Sequence, residues 1–174
     1  MIRSINGKTP RVHPGAFVSE FAYVVGDVEI GEGSSVWPGT VIRGDSGTVV
    51  IGKNTCIQDN SVVHGDADVE IGDDVVIGHR VLCHGRVIGD RVLLGNGCIV
   101  NDGVLVGEDS LVASGAMVVD GMDIPPRSVV AGLPARVRRE VRDDDVARIR
   151  GYRDIYVRNT AMYGAEGLGS PQPT

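Results

Sequence analysis

Residues 88–118 read IGDRVLLGNGCIVNDGVLVGEDSLVASGAMV, and an aliphatic side chain recurs at every sixth position of this stretch. The recurring residues are Ile88, Leu94, Val100, Val106, Val112 and Val118. A period of six fits neither an amphipathic helix, which repeats about every 3.6 residues, nor an alternating strand, which repeats about every 2. It is typical of a solenoid in which each hexad contributes one short strand and one corner.

The same period extends toward the N-terminus in three further registers, over residues 12–42, 51–63 and 71–83. Three hexads make an 18-residue coil, and successive coils are expected to stack at the interstrand spacing of about 4.8 Å. Their aliphatic side chains then point to a common axis and form a core with few aromatic residues, which are only 4% of the chain. We therefore predict an all-β solenoid, a parallel β-helix, over roughly residues 11–132.

The repeat breaks at Gly132-Leu-Pro-Ala-Arg136, and a helix is predicted to follow, capped by one of the residues 143–145. Its apolar stripe has helical spacing for packing along the prism and comprises Val146, Ile149, Tyr152, Tyr156, Thr160 and Tyr163. The end of the chain shows no periodicity. The expected organisation is a β-helix with the functional site over 1–135, a C-terminal α-helix over 136–163 and a flexible tail over 164–174.

Composition excludes several functional classes. The net charge of −6 argues against a nucleic-acid-binding protein. No apolar run reaches the roughly 18 residues of a membrane span, and the N-terminus does not resemble a signal peptide, so we expect a cytoplasmic protein without a membrane partner. The three cysteines form no CxxC pair and no even set, which argues against disulfides.

Three of the four histidines, His64, His79 and His84, fall within 21 residues. The step from Val63 to Ile71 is two residues longer than a hexad, so His64 and His84 are separated by one 18-residue coil once this insertion is removed. Both follow directly after a core position, which stacks them on one edge of the prism. The same reasoning adds Arg43 to their column, whereas His79 stacks with Asp59 on another face. The fourth histidine, His13, is expected to be an ordinary surface residue.

Two imidazoles one coil apart are able to bind one metal ion at Zn–N distances of about 2.0–2.1 Å. His79 lies on a different face of the prism and is able to join them only from a neighbouring molecule. The spacing therefore predicts a homotrimer with three sites between subunits. Three histidine ligands leave a fourth position open, as in catalytic zinc sites, and Zn²⁺ is the expected metal, although Fe²⁺ and Co²⁺ fit the same ligands.

Four segments of the chain resemble the γ-class carbonic anhydrases of the hexapeptide-repeat superfamily. They are Arg43-Gly-Asp45, Ile57-Gln-Asp-Asn-Ser-Val-Val-His64, Ile77-Gly-His79 and Cys83-His84-Gly85. The resemblance covers nearly the whole chain. It implies that the β-helix is left-handed and that His64, His79 and His84 are the metal ligands.

The resemblance also implies roles for the residues around the metal. Gln58 would hydrogen-bond the metal-bound water or bicarbonate. Arg43, Asp45 and Asp59 would form a charged shell that bridges subunits. Tyr156 matches the tyrosine of the family's C-terminal helix near the site.

The implied activity is hydration of CO2 to bicarbonate by a metal-bound hydroxide. The chain departs from the family pattern at Ser46, where the prototype has a glutamate for proton export, and at Cys56, where many members have asparagine. Asp66 or Asp68 is the expected substitute for the missing glutamate. Two alternatives remain open: an acyl-CoA thioesterase or acyl-binding protein, since the superfamily also acts on acyl thioesters, and a non-catalytic scaffold subunit.

Overall fold

The computed structural model describes residues 1–170, which form a parallel β-helix of about seven turns with one α-helix packed along it. The predicted fold is confirmed. In chain order, the first ten strands are β1 (Ile2–Arg3), β2 (Arg11–Val12), β3 (Phe17–Val18), β4 (Tyr23–Ile30), β5 (Ser35–Val36), β6 (Val41–Ile51), β7 (Cys56–Ile57), β8 (Val62–Val63), β9 (Val69–Ile71) and β10 (Val76–Ile77). The next ten strands are β11 (Leu82–Cys83), β12 (Val87–Ile88), β13 (Leu93–Leu94), β14 (Ile99–Val100), β15 (Leu105–Val106), β16 (Leu111–Val112), β17 (Met117–Val118), β18 (Asp123–Ile124), β19 (Ser128–Gly132) and β20 (Ala135–Glu140). The helix α1 spans Asp143–Ala165.

The strands form a three-faced prism from two sheets. Twelve strands cover two faces in one sheet, which we call sheet A, and eight strands cover the third face in sheet B. Sheet A turns a corner because β6 is long: its first residues pair with β8 and its last residues pair with β9. Neighbouring strands from successive coils run parallel, as the period predicts.

The interior is a set of stacked aliphatic ladders. In one of them, Ile42 pairs with Val63, Val63 with Cys83, and Cys83 with Val100, and all four side chains are fully buried. Each ladder member is the residue that the hexad period places at the axis. Because side chains alternate along a strand, the residues immediately before and after each ladder member point outward.

One corner of the prism matters for the site because it carries His79. The residues that turn this corner on successive coils are Asn60, Arg80 and Gly97, with φ angles of 60°, 58° and 65°. This left-handed region is favourable for glycine and tolerated by asparagine, whereas arginine adopts it at some cost. Asp59 directly precedes Asn60, and His79 directly precedes Arg80. The strand register therefore places Asp59 and His79 one above the other on successive coils.

Helix α1 packs on the outer side of sheet B, where it covers a second hydrophobic cluster. The cluster contains Cys56, Val76, Leu93, Leu111 and Val129 from the sheet, with Val141 and Ile149 from the C-terminal segment. The predicted helical stripe is therefore correct for Ile149, Tyr156 and Thr160, whereas Tyr152 remains substantially exposed.

The segment assigned to the C-terminal helix, 136–163, begins as a strand rather than as a helix. Residues 135–140 form β20, which pairs antiparallel with β19 and so satisfies the backbone groups of the last coil's edge. The helix begins at Asp143 after the N-cap residue Arg142. The predicted acidic cap is Asp145, which lies inside the first turn and accepts hydrogen bonds from the Arg142 backbone N–H at 2.9 Å and from Arg139 at 2.6 Å.

The predicted tail is partly helical and partly bound to the prism. Helix α1 continues to Ala165, and the backbone N–H of Ser170 donates to the carbonyl of Val18 at 2.6 Å. Residues 164–170 are therefore not a free tail. Residues 171–174 of the predicted tail lie outside the described residues. Within residues 1–170, no helix has the length and apolar character that crossing a membrane requires.

Candidate metal centre

His64 and His84 lie in the predicted column on one edge of the prism. Their preceding residues, Val63 and Cys83, pair directly in the parallel register. The Nδ1 atom of His64 lies 3.1 Å from the Nε2 atom of His84. His64 is buried and His84 is half-buried, so two ring nitrogens face each other in a partly desolvated environment.

Each of the three clustered histidines has a carboxylate beside one of its ring nitrogens. The pairs are His64 Nε2 with Asp45 at 3.1 Å, His79 Nδ1 with Asp59 at 3.1 Å, and His84 Nδ1 with Asp102 at 3.6 Å. The His64–Asp45 contact is a hydrogen bond, the His79–Asp59 contact is an ion-pair distance, and the His84–Asp102 distance is too long for a direct hydrogen bond. A carboxylate on one nitrogen holds the ring proton there and leaves the other nitrogen as a basic lone-pair donor, the arrangement found around metal-ligating histidines.

The facing nitrogens of His64 and His84 fit a metal ion. Tetrahedral coordination at Zn–N distances of about 2.0–2.1 Å separates two ligand nitrogens by about 3.3 Å. The observed 3.1 Å is close to that value. Both nitrogens must then be unprotonated, which agrees with the positions of Asp45 and Asp102 on the opposite sides of the two rings.

Arg43 extends the column by one coil below His64. Its Nη2 atom lies 3.0 Å from His64 Nε2, and its Nη1 atom lies 3.6 Å from an Asp45 oxygen. A protonated Nε2 donates to Asp45 and accepts nothing from arginine. In that tautomer Arg43 acts on the site by pairing with the Asp45 carboxylate, which helps to hold this carboxylate in place.

His79 does not join His64 and His84 within one chain. Among residues 1–170, the ligand atoms that approach one another within 4.8 Å as a group of three belong to His64, Asp66 and His84. Asp66 lies in the exposed linker after β8. Its role as a replacement acid stays a prediction, whereas Asp68 accepts a hydrogen bond from the Thr48 backbone N–H at 2.9 Å and is engaged elsewhere.

Gln58 and Tyr156 approach the site from the side of His79. Both line a cavity with His79 between sheet B and helix α1. The ring of Tyr156 packs edge-on against Trp37 with centroids 5.2 Å apart, and burial raises the pKa of its phenol to about 12. Tyr156 is therefore a neutral hydrogen-bond donor at physiological pH. Burial likewise raises the pKa of the Cys56 thiol to about 12, so Cys56 is an inert thiol beneath Gln58.

Asp102 is the residue that the sequence reasoning missed. It follows His84 by 18 residues, whereas the coil at this level is 17 residues long, since Cys83 pairs with Val100. The shorter coil arises because the step from Cys83 to Ile88 is five residues instead of six. As a result Asn101, rather than Asp102, stacks directly on His84, and Asp102 reaches the ring from the next position.

Comparison with known proteins identifies the family of this chain. The hexapeptide-repeat family described as bacterial transferase hexapeptide (six repeats) matches residues 9–44. A probable carbonic anhydrase of Methanocaldococcus jannaschii is 42% identical over 135 residues, which cover 76% of this chain and 85% of that protein. The chain belongs to the γ-carbonic anhydrase-like family of hexapeptide-repeat proteins.

Other members of this γ-carbonic anhydrase-like family align over shorter stretches. A carbonic anhydrase of Geobacillus kaustophilus is 48% identical over 64 residues, 37% of this chain and 35% of that protein. The mitochondrial γ carbonic anhydrase 3 of Arabidopsis thaliana is 48% identical over 63 residues, 36% of this chain and 24% of that protein. The alignments therefore span about a quarter to a third of these relatives.

Solved structures with the same fold carry transferase names. A hexapeptide transferase family protein from Anaplasma phagocytophilum is 33% identical, with a TM-score of 0.90 over 94% of this chain and 98% of that one. A putative acetyltransferase from Bacillus cereus is 34% identical, with a TM-score of 0.88 over 95% and 97% of the two chains. These likenesses establish the architecture, including the helix, over almost the full length.

Proposed function

We propose that this protein binds a zinc ion between neighbouring copies of itself and hydrates CO2 to bicarbonate. The observation that carries the proposal is the set of three histidine–carboxylate pairs, each of which leaves one imidazole nitrogen available as a ligand. His64 and His84 supply two of these nitrogens from one edge of the prism, and His79 of a second copy supplies the third.

An apolar ladder beside His64 and His84 supports association with a second copy. The ladder runs along the outer side of sheet A and comprises Tyr23, Val41, Val62, Leu82, Ile99 and Met117. Its members are half-buried or exposed, and none of them is charged. A contiguous apolar stripe of this kind marks an interaction surface.

The two surfaces that meet are different, because the ladder with His64 and His84 faces a corner that carries His79. Such a contact repeats head-to-tail and closes into a ring when the rotation allows it. Three copies close the ring of lowest order beyond a dimer, and each copy then completes one site with each neighbour. The proposed assembly is therefore a homotrimer with one metal ion per chain.

The residues of the chain prepare the site for CO2 hydration. When bound, a zinc ion would supply a nucleophile near neutral pH, because it lowers the pKa of a coordinated water to about 7. Asp45, Asp59 and Asp102 keep the ring protons away from the metal side. The Gln58 carboxamide orients the oxygens of CO2 and bicarbonate, and Asp66 accepts a proton and passes it to solvent, to which it is exposed.

A second candidate function is hydrolysis or binding of acyl thioesters. The acetyltransferase name of the Bacillus cereus neighbour and the cavity of about 320 Å³ beside Gln58 and His79 favour it. The same metal site would serve thioester hydrolysis, since both reactions place a nucleophilic oxygen on a carbonyl carbon.

The test compares the two activities on protein whose zinc content is measured. Stopped-flow CO2 hydration should be faster with the zinc-loaded protein than with His79→Ala, which removes a proposed ligand, while His13→Ala serves as the matched control. A panel of acyl-CoA substrates is run on the same samples. Thioester turnover without CO2 hydration would replace the main proposal with the alternative, and a zinc-loaded trimer inactive in both assays would indicate a scaffold role.

A further inference from the structure

The cavity between helix α1 and sheet B is larger than CO2 or bicarbonate requires. Its volume is about 320 Å³, which lies in the range of small-molecule sites and corresponds to roughly ten water molecules. The sheet side of the cavity has an apolar surface formed by Val76, Leu93 and Leu111 on successive coils, and the polar residues Asn96 and Ser114 also line it. Tyr152 and Tyr156 line it from the helix.

One end of the cavity holds a buried amide that lacks a good partner. Gln58 is only 5% exposed. Within residues 1–170 its side chain makes a single hydrogen-bond contact, from Nε2 to the Cys56 sulfur at 3.9 Å. Sulfur is a weak acceptor, so a buried carboxamide retains most of its hydrogen-bonding capacity toward the cavity.

The other end of the cavity carries an arginine without a carboxylate. Arg148 of helix α1 lines the cavity beside Ala113 and Ser114. In the described part of the chain its guanidinium has neither an ion pair nor a hydrogen bond, and the nearby Asp145 is already paired with Arg139. Strands β7 and β16, which position Gln58 and Ala113, are three coil steps apart, or about 14 Å at the interstrand spacing.

We propose that this cavity binds a small organic carboxylate with an apolar body of about six carbons, a size that the volume of about 320 Å³ accommodates. The carboxylate pairs with Arg148, because one guanidinium matches one carboxylate in charge and in bidentate geometry. The apolar body lies on the Val76–Leu111 surface, and the rest of the cavity at the Gln58 end stays hydrated, so that water satisfies the Gln58 carboxamide. This site adjoins the proposed metal centre but uses none of its metal ligands for binding the carboxylate.

Isothermal titration calorimetry with hexanoate tests the proposal on zinc-loaded and on EDTA-treated protein. We expect a dissociation constant in about the millimolar range in both samples, given the ligand's size. Hexanamide, which has the same shape without the charge, should bind about tenfold more weakly. Arg148→Gln should weaken hexanoate by a similar factor, whereas the matched control Arg150→Gln, outside the cavity lining, should leave the affinity unchanged.

Two further variants separate this site from the metal centre. Ala113→Leu places a larger side chain in the cavity and should abolish hexanoate binding. His64→Ala should not change hexanoate binding, even though it removes a proposed metal ligand. Binding that requires zinc and disappears in His64→Ala would place the carboxylate on the metal and overturn the proposal. Absence of binding in every sample, as when a second copy fills the cavity, would also overturn it.

Discussion

Leu82→Asp should dissociate the proposed trimer while leaving the prism folded. Leu82 lies in the middle of the apolar ladder, between Val62 and Ile99, and its side chain points outward next to His84. It is 37% exposed in a single chain. A polar residue is therefore tolerated in the free protomer, but it would be buried against the neighbouring copy in the trimer.

The magnitude follows from the burial of this one position. Covering the exposed third of Leu82 contributes about 0.5–1 kcal/mol, a third of the roughly 1.5–3 kcal/mol for a whole leucine side chain. Burying an unpaired carboxylate in its place costs several kcal/mol. Leu82→Asp therefore makes the free energy of association less favourable by at least about 3 kcal/mol at each interface. This change lowers the association constant by more than about 100-fold.

Size-exclusion chromatography with light scattering measures the assembly, and circular dichroism checks the fold. Leu105→Asp is the matched control, because Leu105 is 36% exposed and lies in an equivalent outward position. Its ladder on the other face of sheet A includes the carboxylates Glu70 and Asp123, so we expect no interface there. Retention of the trimer by Leu82→Asp, or its loss in both variants, would refute the assignment of this face.

Three further predictions concern the prism and its helix. Leu94→Ala removes a fully buried side chain from the core and should lower the free energy of unfolding by about 2–5 kcal/mol in urea denaturation. Burial raises the pKa of all three cysteine thiols to about 12, so a thiol reagent at about pH 8 should react with none of them until the protein is unfolded. The hydrogen bond from Arg139, with that from the Arg142 backbone, lowers the pKa of Asp145 to about 2. The resulting stability is present above the unfolded value of about 3.9 and is lost as the pH falls toward 2, and Asp145→Asn should flatten this loss in unfolding curves.

The sequence predicted the stacked positions because a β-helix converts spacing into geometry. Once the insertion after Val63 is counted, the 18-residue coil places His84 above His64 and His79 above Asp59, as the strand register shows. No side-chain packing is needed for this inference, since each coil repeats the backbone path of the previous one. The aliphatic core follows from the same period.

The hexad period does not predict features that depend on local pairing, local changes in coil length or the packing of the helix. Residues 135–140 pair with the last coil rather than start the helix, because the open edge of β19 offers backbone partners that spacing does not reveal. Asp102 reaches His84 from a position next to the stacked one, which depends on the shortened step after Cys83. The cavity and its Arg148 arise from how helix α1 sits on sheet B, and the helical stripe specifies only which face is buried.

The shared metal site is tested most directly by mixing two defective chains. One chain carries His79→Ala, and the other carries both His64→Ala and His84→Ala, so neither homotrimer contains a complete set of ligands. In mixed trimers the intact His64 and His84 of one chain face the intact His79 of the other. After subunit exchange is confirmed by mass spectrometry, we expect zinc binding to reappear in the mixture and to be absent from both parents. A mixture that exchanges subunits and still binds no zinc would contradict the shared-site account.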